Sequence, residues 1–109
     1  MTDYIYIISN DQDYIKVGVS KHPDKRLRQL QTGNEHTLSL IFTEEFECPR
    51  NHLLKIESEI HRTLSLKAID HRGEWFKLPS DVDIQNIKNF ITFTRIRFED
   101  DVNYFKRRR

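Results

Sequence analysis

Two segments rich in β-branched and aromatic residues open this 109-residue chain, and a polar cluster separates them. Residues 3–9 combine tyrosine with isoleucine, residues 14–19 contain isoleucine and valine, and residues 10–13 have the sequence Asn-Asp-Gln-Asp. β-branched and aromatic side chains favour strands, whereas asparagine and aspartate favour turns. The opening of the chain therefore predicts a β-hairpin over residues 3–19.

Helix-type and strand-type segments alternate along the rest of the chain. Proline favours the first turn of a helix and glycine favours its end, so we expect one helix from Pro23 to Gly33 and another opened by Pro49. Apolar residues spaced three and four apart give the second helix a buried face; they are Leu53, Ile56, Ile60 and Leu64. The other predicted elements are a strand over 37–47, an extended segment over 74–78, and a helix over 80–97 capped by Ser80 and Asp83.

This order predicts an α+β fold, with a mostly antiparallel sheet of three to four strands flanked by helices. A length of 109 residues, with 37% hydrophobic and 32% charged residues, is typical of one globular domain. We assign residues 1–97 to this domain, with 80–97 as an additional helix, and residues 98–109 to a basic C-terminal tail.

The cysteine content and the N-terminal sequence indicate where the protein resides. Cys48 is the one cysteine, so no intrachain disulfide forms, as is usual in a reducing compartment. The N-terminal apolar run is too short for a signal sequence or a membrane span. We therefore expect a cytoplasmic protein that does not enter a membrane. Its net charge of +1 gives no argument for nucleic acid, so such an argument depends on where the charges lie.

Four chemically useful side chains lie far apart along the sequence. Tyr6 and Lys16 lie in the two strands of the hairpin, Arg26 in the first helix, and Glu57 in the second. A tyrosine or lysine can activate water, an arginine fork binds phosphate, and a carboxylate binds a hard divalent metal ion. Phosphodiester cleavage needs these residue types, although each residue also has a structural alternative as a packed strand residue or a solvated surface residue.

The motifs around these residues resemble those of the GIY-YIG nucleases. In chain order, they are Tyr4-Ile5-Tyr6, Lys16-Val17-Gly18, Asp24-Lys25-Arg26-Leu27, Gln31-Thr32-Gly33-Asn34, Ile56-Glu57, His61 and Gly73-Glu74-Trp75-Phe76. The later motifs resemble the branch named after a phage T5 open reading frame and a meiotically up-regulated yeast gene. The resemblance covers about residues 3–78. The glycine of the first family motif has no counterpart here, and Lys16 replaces the tyrosine of the second.

The resemblance implies a metal-dependent endonuclease and the roles of its site residues. Tyr6 and Lys16 would activate the attacking water, and Arg26 would stabilise the phosphoryl charge. Glu57 would bind Mg²⁺ or Mn²⁺, and the substrate would be DNA, with RNA left open. A free phenol has a pKa near ~10, so Lys16 either serves as the base itself or favours the phenolate by its charge. The supporting or substrate-binding residues would be Tyr4, Gly18, His61 and Glu74, of which Glu74 either supports the site or pairs with a basic residue.

Two further groups of residues have alternative interpretations. Cys48, His52 and His61 form a loose set of potential transition-metal ligands, although zinc motifs have much stricter spacing. A basic run near the C-terminus either binds the DNA backbone or forms a solvated end; its residues are Lys106, Arg107, Arg108 and Arg109.

The departures from the family motifs also leave the class of protein open. The alternatives to an endonuclease are a catalytically silent nucleic-acid-binding module on the same fold and a phage-type interaction or inhibitor protein. Because little chain remains for a separate DNA-reading domain, we expect one of three features: weak sequence preference, recognition of DNA shape as in structured or branched DNA, or a homodimer.

Overall fold

The computed structural model describes residues 2–79 and 84–107, with side chains described as far as residue 97. Five strands and three helices follow one another in these ranges. They are β1 (Asp3–Ser9), β2 (Tyr14–Ser20), α1 (Pro23–Gln31), β3 (Ser39–Phe46), α2 (Arg50–Lys67), β4 (Asp70–Arg72), β5 (Trp75–Lys77) and α3 (Ile84–Arg107). The strands form one antiparallel sheet in the order β3-β1-β2-β5-β4, which confirms the α+β prediction. No helix within the described ranges is long and apolar enough to cross a membrane.

The predicted hairpin is formed by β1 and β2. Its turn is held by the side chain of Asn10, whose Oδ1 accepts hydrogen bonds from the backbone N–H groups of Gln12, at 2.8 Å, and Tyr14, at 3.0 Å. Asp13 has φ of 66°, a left-handed conformation that aspartate tolerates better than most residues. The resulting register places Tyr6 opposite Gly18. Local turn chemistry therefore sets which side chains meet across the hairpin.

The two faces of the sheet bury different sets of side chains. One face carries Ile5, Ile7 and Val17, which form the main core with α2 and α3. On α2, this core contains the predicted residues Leu53, Ile60 and Leu64, with Ile56 packed against it. The opposite face carries Tyr6 and Ile8, which pack with Leu38 and with half-buried Leu27, Leu30, Leu40 and Trp75. Because side chains alternate along a strand, Lys16 and Gly18 share the face of Tyr6.

The sequence did not predict β4, since its residues Asp-His-Arg are polar and exposed. This strand forms because the chain turns back at Gly73, whose φ of 61° favours glycine, and pairs with β5. Tyr14 of β2 holds β4 in place: its hydroxyl donates a hydrogen bond to Asp70, and the Arg72 guanidinium lies 5.5 Å from its ring centroid. The sheet therefore has five strands instead of three to four.

The third helix is longer than the predicted 80–97. It runs from Ile84 to Arg107, because no proline or glycine interrupts the sequence between these residues. Ile87 and Ile91 anchor its first half in the core. The predicted cap at Ser80 and Asp83 lies outside the described residues.

Candidate active site

Lys16 is buried in the middle of the second strand. It is 6% exposed, and its ammonium group forms a salt bridge with Glu74. Lysine is rarely buried without a partner, because removing its charge from water is costly. The interpretation of Lys16 as a solvated surface residue is therefore wrong. A buried charge held by one carboxylate suggests a chemical role.

The pairing of β2 with β5 explains why Glu74 meets Lys16. Lys16 lies opposite Trp75, which is the first residue of β5. Glu74 directly precedes it in the turn at Gly73, and its side chain is 69% exposed. The ion pair therefore has one buried end and one end open to solvent. A substrate approaching from solvent can reach this pair.

The ring of Tyr6 lies directly over Gly18. A Cβ atom added to Gly18 would come within 2.9 Å of Tyr6 Cε2, and nearer still to the hydroxyl end of the ring. Tyr6 is 2% exposed, and its hydroxyl makes no hydrogen bond with a described residue. Since no side-chain oxygen or nitrogen of the described residues is both fully buried and unpartnered, this hydroxyl reaches solvent. Gly18 thus makes room for the buried Tyr6 ring on the sheet face that also carries Lys16.

Gly18→Ala should destabilise the protein through this contact. The added methyl group would push the Tyr6 ring from its position, and overpacking of this kind costs about 1–3 kcal/mol. The measurement is the free energy of unfolding in urea for wild type, Gly18→Ala, Tyr6→Leu and the double variant. The cost of Gly18→Ala should shrink when Tyr6 is already leucine. An equal cost in both backgrounds would mean that the ring is not the source of the strain.

Arg26 and His61 lie close enough to Glu74 to act on its charge. The hydrogen bond and the positive charge of Lys16 lower the pKa of Glu74 below its ordinary value, and the charges of His61 and Arg26 lower it further. Arg26 is half-buried on α1, whereas its neighbour Arg28 is exposed and lies 3.9 Å from Asp24. The fold therefore gathers three basic residues from β2, α1 and α2 around one carboxylate.

His61 is fixed in orientation by the backbone of β2. Its Nε2 lies 2.6 Å from the carbonyl oxygen of Val17, one residue beyond the last β2–β5 pair. A carbonyl only accepts, so Nε2 carries the proton and Nδ1 remains for another partner. The ring also packs against Phe76, with centroids 6.1 Å apart. His61 therefore lies at the edge of the site, with its Nε2 used in a hydrogen bond to the backbone of β2.

The pairing of Lys16 with Glu74 predicts a dependence of stability on pH. Since the pKa of Glu74 is lowered on folding, its carboxylate should stabilise the protein above the ordinary value of 4.5 and lose this effect as the pH falls below it. Wild type and Glu74→Gln should therefore differ most in their free energy of unfolding near neutral pH, and this difference should decline in acid. Glu59→Gln is the control, because the ion pair of Glu59 with Arg62 is exposed and contributes little. A difference for Glu74→Gln that does not vary with pH would contradict the assignment.

Glu57 forms no hydrogen bond or ion pair with the cluster around Lys16. It is half-buried on α2, one helical turn before His61, and makes no hydrogen bond or salt bridge with a described residue. Its neighbour Glu59 is exposed and bonded to Arg62, at 2.9 Å. Across the described ranges, no three histidine, cysteine or acidic residues are grouped to hold a metal ion. Glu57 is thus an isolated, unpaired carboxylate on the side of α2 that carries His61.

The remaining predicted site residues are Tyr4 and the basic run at the C-terminus. Tyr4 is half-buried at the start of β1 and pairs with Ser20, on the face that carries Tyr6. Lys106 and Arg107 belong to the end of α3, and nothing is described of their side chains. Arg108 and Arg109 lie outside the described residues. The proposed role of this basic run stays a prediction.

The sequence ranked Glu74 below Glu57, as a residue that supports the site or pairs with a basic residue. The structure makes Glu74 the direct partner of Lys16. Trp75, which the sequence did not assign to the site, packs against the smaller core cluster of Tyr6, Ile8 and Leu38, on the face of the sheet that carries Lys16. The Gly73-Glu74-Trp75-Phe76 motif was the available signal, because Trp75 and Phe76 point to opposite faces and only one of them faces the main core.

A match to a family model assigns this chain to a GIY-YIG-like, nuclease-related class of domain. A family model described as the T5orf172 domain matches residues 3–95, most of the chain. The chain belongs to the T5orf172 domain family, the branch indicated by the motifs. The match extends beyond residue 78 and includes the first half of α3. Comparisons with curated proteins and with solved structures gave no significant match.

Proposed function

We propose that this protein is a metal-dependent endonuclease that hydrolyses phosphodiester bonds of DNA. The observation that carries the proposal is the buried Lys16, held by the solvent-facing Glu74 and accompanied by the Tyr6 ring on the same sheet face. Family membership supports a nuclease-like or DNA-binding module in general. The cluster around Lys16 supports the more specific role, because a charge buried at such cost suits chemistry better than simple adhesion to DNA.

The basic residues around Glu74 suit a phosphate. Arg26 is half-buried and close to Glu74, so its guanidinium can approach a phosphodiester whose negative charge increases during the reaction. Lys16 keeps ammonium hydrogens beyond the one given to Glu74, and these can contact the same phosphate. Both side chains thus act by electrostatic stabilisation of the transition state.

Tyr6 and Lys16 together activate the water. They are diagonal neighbours across the β1–β2 pair, a separation of roughly 7–8 Å that long side chains bridge. The Tyr6 oxygen takes a proton from the attacking water, and the positive charge of Lys16 favours this step electrostatically. The water oxygen then forms the new bond to phosphorus as the bond to the leaving oxygen breaks.

Glu57 fits a divalent metal ion of the hard type. Mg²⁺ is often held by one or two carboxylates, with water and substrate phosphate completing its shell. Glu57 offers one carboxylate that is not paired with a described residue. When bound, Mg²⁺ or Mn²⁺ would neutralise charge on the phosphate and the leaving oxygen.

The test of this proposal is nicking of supercoiled plasmid by wild type and Lys16→Met. With Mg²⁺ or Mn²⁺, the wild type should nick the plasmid, EDTA should prevent nicking, and Lys16→Met should be about 100-fold slower. The free energy of unfolding of Lys16→Met should be equal to that of wild type or higher, by up to about 4 kcal/mol. The reason is that an apolar side chain replaces a buried charge, and the exposed Glu74 carboxylate is hydrated again. Lys25→Met on the exposed side of α1 is the control.

Other outcomes would point to the alternative classes. Salt-sensitive DNA binding without metal-dependent nicking would replace the proposal with a silent binding module. Capture of one stoichiometric protein partner, with neither DNA binding nor nicking, would favour the interaction or inhibitor protein. Equal nicking by wild type and Lys16→Met would mean that the site lies elsewhere.

A further inference from the structure

A cavity of about 200 Å³ lies next to the cluster around Lys16. Trp75 belongs to its wall and pairs with Lys16 across β2 and β5, so the cavity and the candidate active site adjoin. The rest of its wall comes from the hairpin turn, the loop after α1, and β4. Pockets for drug-sized ligands have volumes of about 300–1,000 Å³, so this cavity suits a smaller group.

Two asparagine side chains present hydrogen-bond donors to this cavity. Oδ1 of Asn10 accepts from two backbone N–H groups of the hairpin turn, and Oδ1 of Asn34 accepts from the backbone N–H of His36, at 2.9 Å. These bonds fix each amide, because only the oxygen can accept. Neither amide NH₂ group is hydrogen-bonded to a described residue. Both are therefore available to acceptor groups of a ligand.

Aromatic and positive groups complete the cavity. Trp75 offers a half-buried indole, and Tyr14 lies beside it with the exposed Arg72 guanidinium over its ring. Nucleobases stack on such aromatic side chains, and guanidinium groups bind phosphate. A wall of amide donors, an indole and a guanidinium matches a nucleotide, which carries acceptor atoms, a π face and negative charge together.

The geometry points to a subsite for one unpaired nucleotide of DNA, next to the phosphodiester that is cleaved. Tyr14 and Lys16 are two residues apart on the same strand face, about 7 Å along β2, so the cavity lies directly beside the Lys16–Glu74 pair. A base enters so small a cavity only when it is out of the duplex stack. The enzyme thus selects single-stranded or locally unpaired DNA. This inference rests on the proposed function for the position of the cleaved bond.

The fluorescence of Trp75 tests this subsite without any cleavage. The chain has one tryptophan, so quenching of its emission reports contact at this cavity. The full chain is titrated in EDTA with an eight-residue oligothymidylate and, separately, with a blunt duplex. The single strand should quench Trp75 and bind at least about 10-fold more tightly than the duplex. Binding of the duplex as tightly as the single strand, with no quenching, would overturn the subsite.

Asn34→Asp tests the amide donors directly. Aspartate keeps the acceptor for the His36 N–H but replaces the NH₂ donor with a negative charge, so affinity for the oligothymidylate should fall about 10-fold. Asn86→Asp makes the same charge change on the exposed surface of α3 and should leave affinity unchanged. If Asn34→Asp does not fold, Arg72→Gln is measured beside Arg62→Gln, with the same expectation. Equal losses in the variant and its control would contradict the subsite.

The two proposals fail in different ways. If wild type does not nick plasmid but oligothymidylate quenches Trp75 and Asn34→Asp weakens binding, the nucleotide subsite stands and the nuclease proposal fails. If plasmid is nicked, but the single strand does not quench Trp75 and Asn34→Asp does not change its affinity, the nuclease proposal stands and the subsite is wrong.

Discussion

Arg26→Gln should reduce the single-turnover rate of plasmid nicking by about 100- to 1,000-fold, the usual effect of removing one group that stabilises transition-state charge. Arg26 is half-buried and lies close to the Lys16–Glu74 pair, so its charge acts in a partly water-excluded environment. Glutamine keeps much of the side-chain length but removes the charge. Binding of uncleaved DNA in EDTA should change much less than the rate, because the arginine acts mainly on charge that develops during the reaction.

Arg28→Gln is the matched control for this experiment. Arg28 lies on the same helix, but it is 72% exposed and only 3.9 Å from Asp24 in a surface ion pair. Its substitution removes the same charge two residues away and should change the rate less than threefold, as expected for a surface pair of little energetic weight. Equal losses in the two variants would mean that α1 contributes only general attraction to DNA.

Glu57→Gln should lower metal-dependent nicking by about 100- to 1,000-fold. The amide is nearly the same size as the carboxylate but binds a divalent cation poorly, so several kcal/mol of charge stabilisation would be lost. The free energy of unfolding should be almost unchanged, because Glu57 makes no salt bridge or hydrogen bond with a described residue. Rates measured over a range of Mg²⁺ and Mn²⁺ concentrations would separate weaker metal binding from a slower chemical step.

The neighbouring Glu59→Gln provides the comparison for the metal site. Glu59 is exposed and bonded to Arg62, so its substitution should leave both the rate and its metal dependence as in wild type. If Glu59→Gln and Glu57→Gln behave alike, Glu57 is not the metal ligand. In that case Glu74 becomes the next carboxylate to test, although its pairing with Lys16 argues against it.

The elements that depend on nearby residues could be predicted from the sequence. The hairpin follows from two strand-type segments around an asparagine-led turn, and α1 from Pro23 at its start. The buried face of α2 follows from apolar residues at helical spacing, since Leu53, Ile60 and Leu64 are all buried. In each case, the chemistry of a short window is enough to select the local structure.

The features that depend on distant parts of the chain could not be predicted in this way. Lys16 is buried because β5 pairs with β2 from about 60 residues away, and its partner Glu74 is brought by that same pairing. β4 forms from polar residues that have no strand pattern of their own, held by Tyr14. Local secondary-structure propensity does not predict such contacts, because they depend on tertiary pairing between strands.

Some expectations from the sequence stay predictions. The structure describes no side chain beyond residue 97, so the basic run at the C-terminus is untested as a DNA contact. The cytoplasmic location and the homodimer also stay predictions. The resemblance itself is confirmed by the family match over residues 3–95.

The most direct test of the account is cleavage of DNA by the wild type in water enriched with ¹⁸O, in the presence of Mg²⁺. Mass spectrometry of the product ends would follow the origin of the new oxygen on phosphorus. Direct attack by water predicts that each newly formed terminal phosphate carries one ¹⁸O atom and that no DNA remains attached to the protein. Intact DNA in both Mg²⁺ and Mn²⁺, or DNA linked covalently to Tyr6, would contradict the proposed hydrolysis.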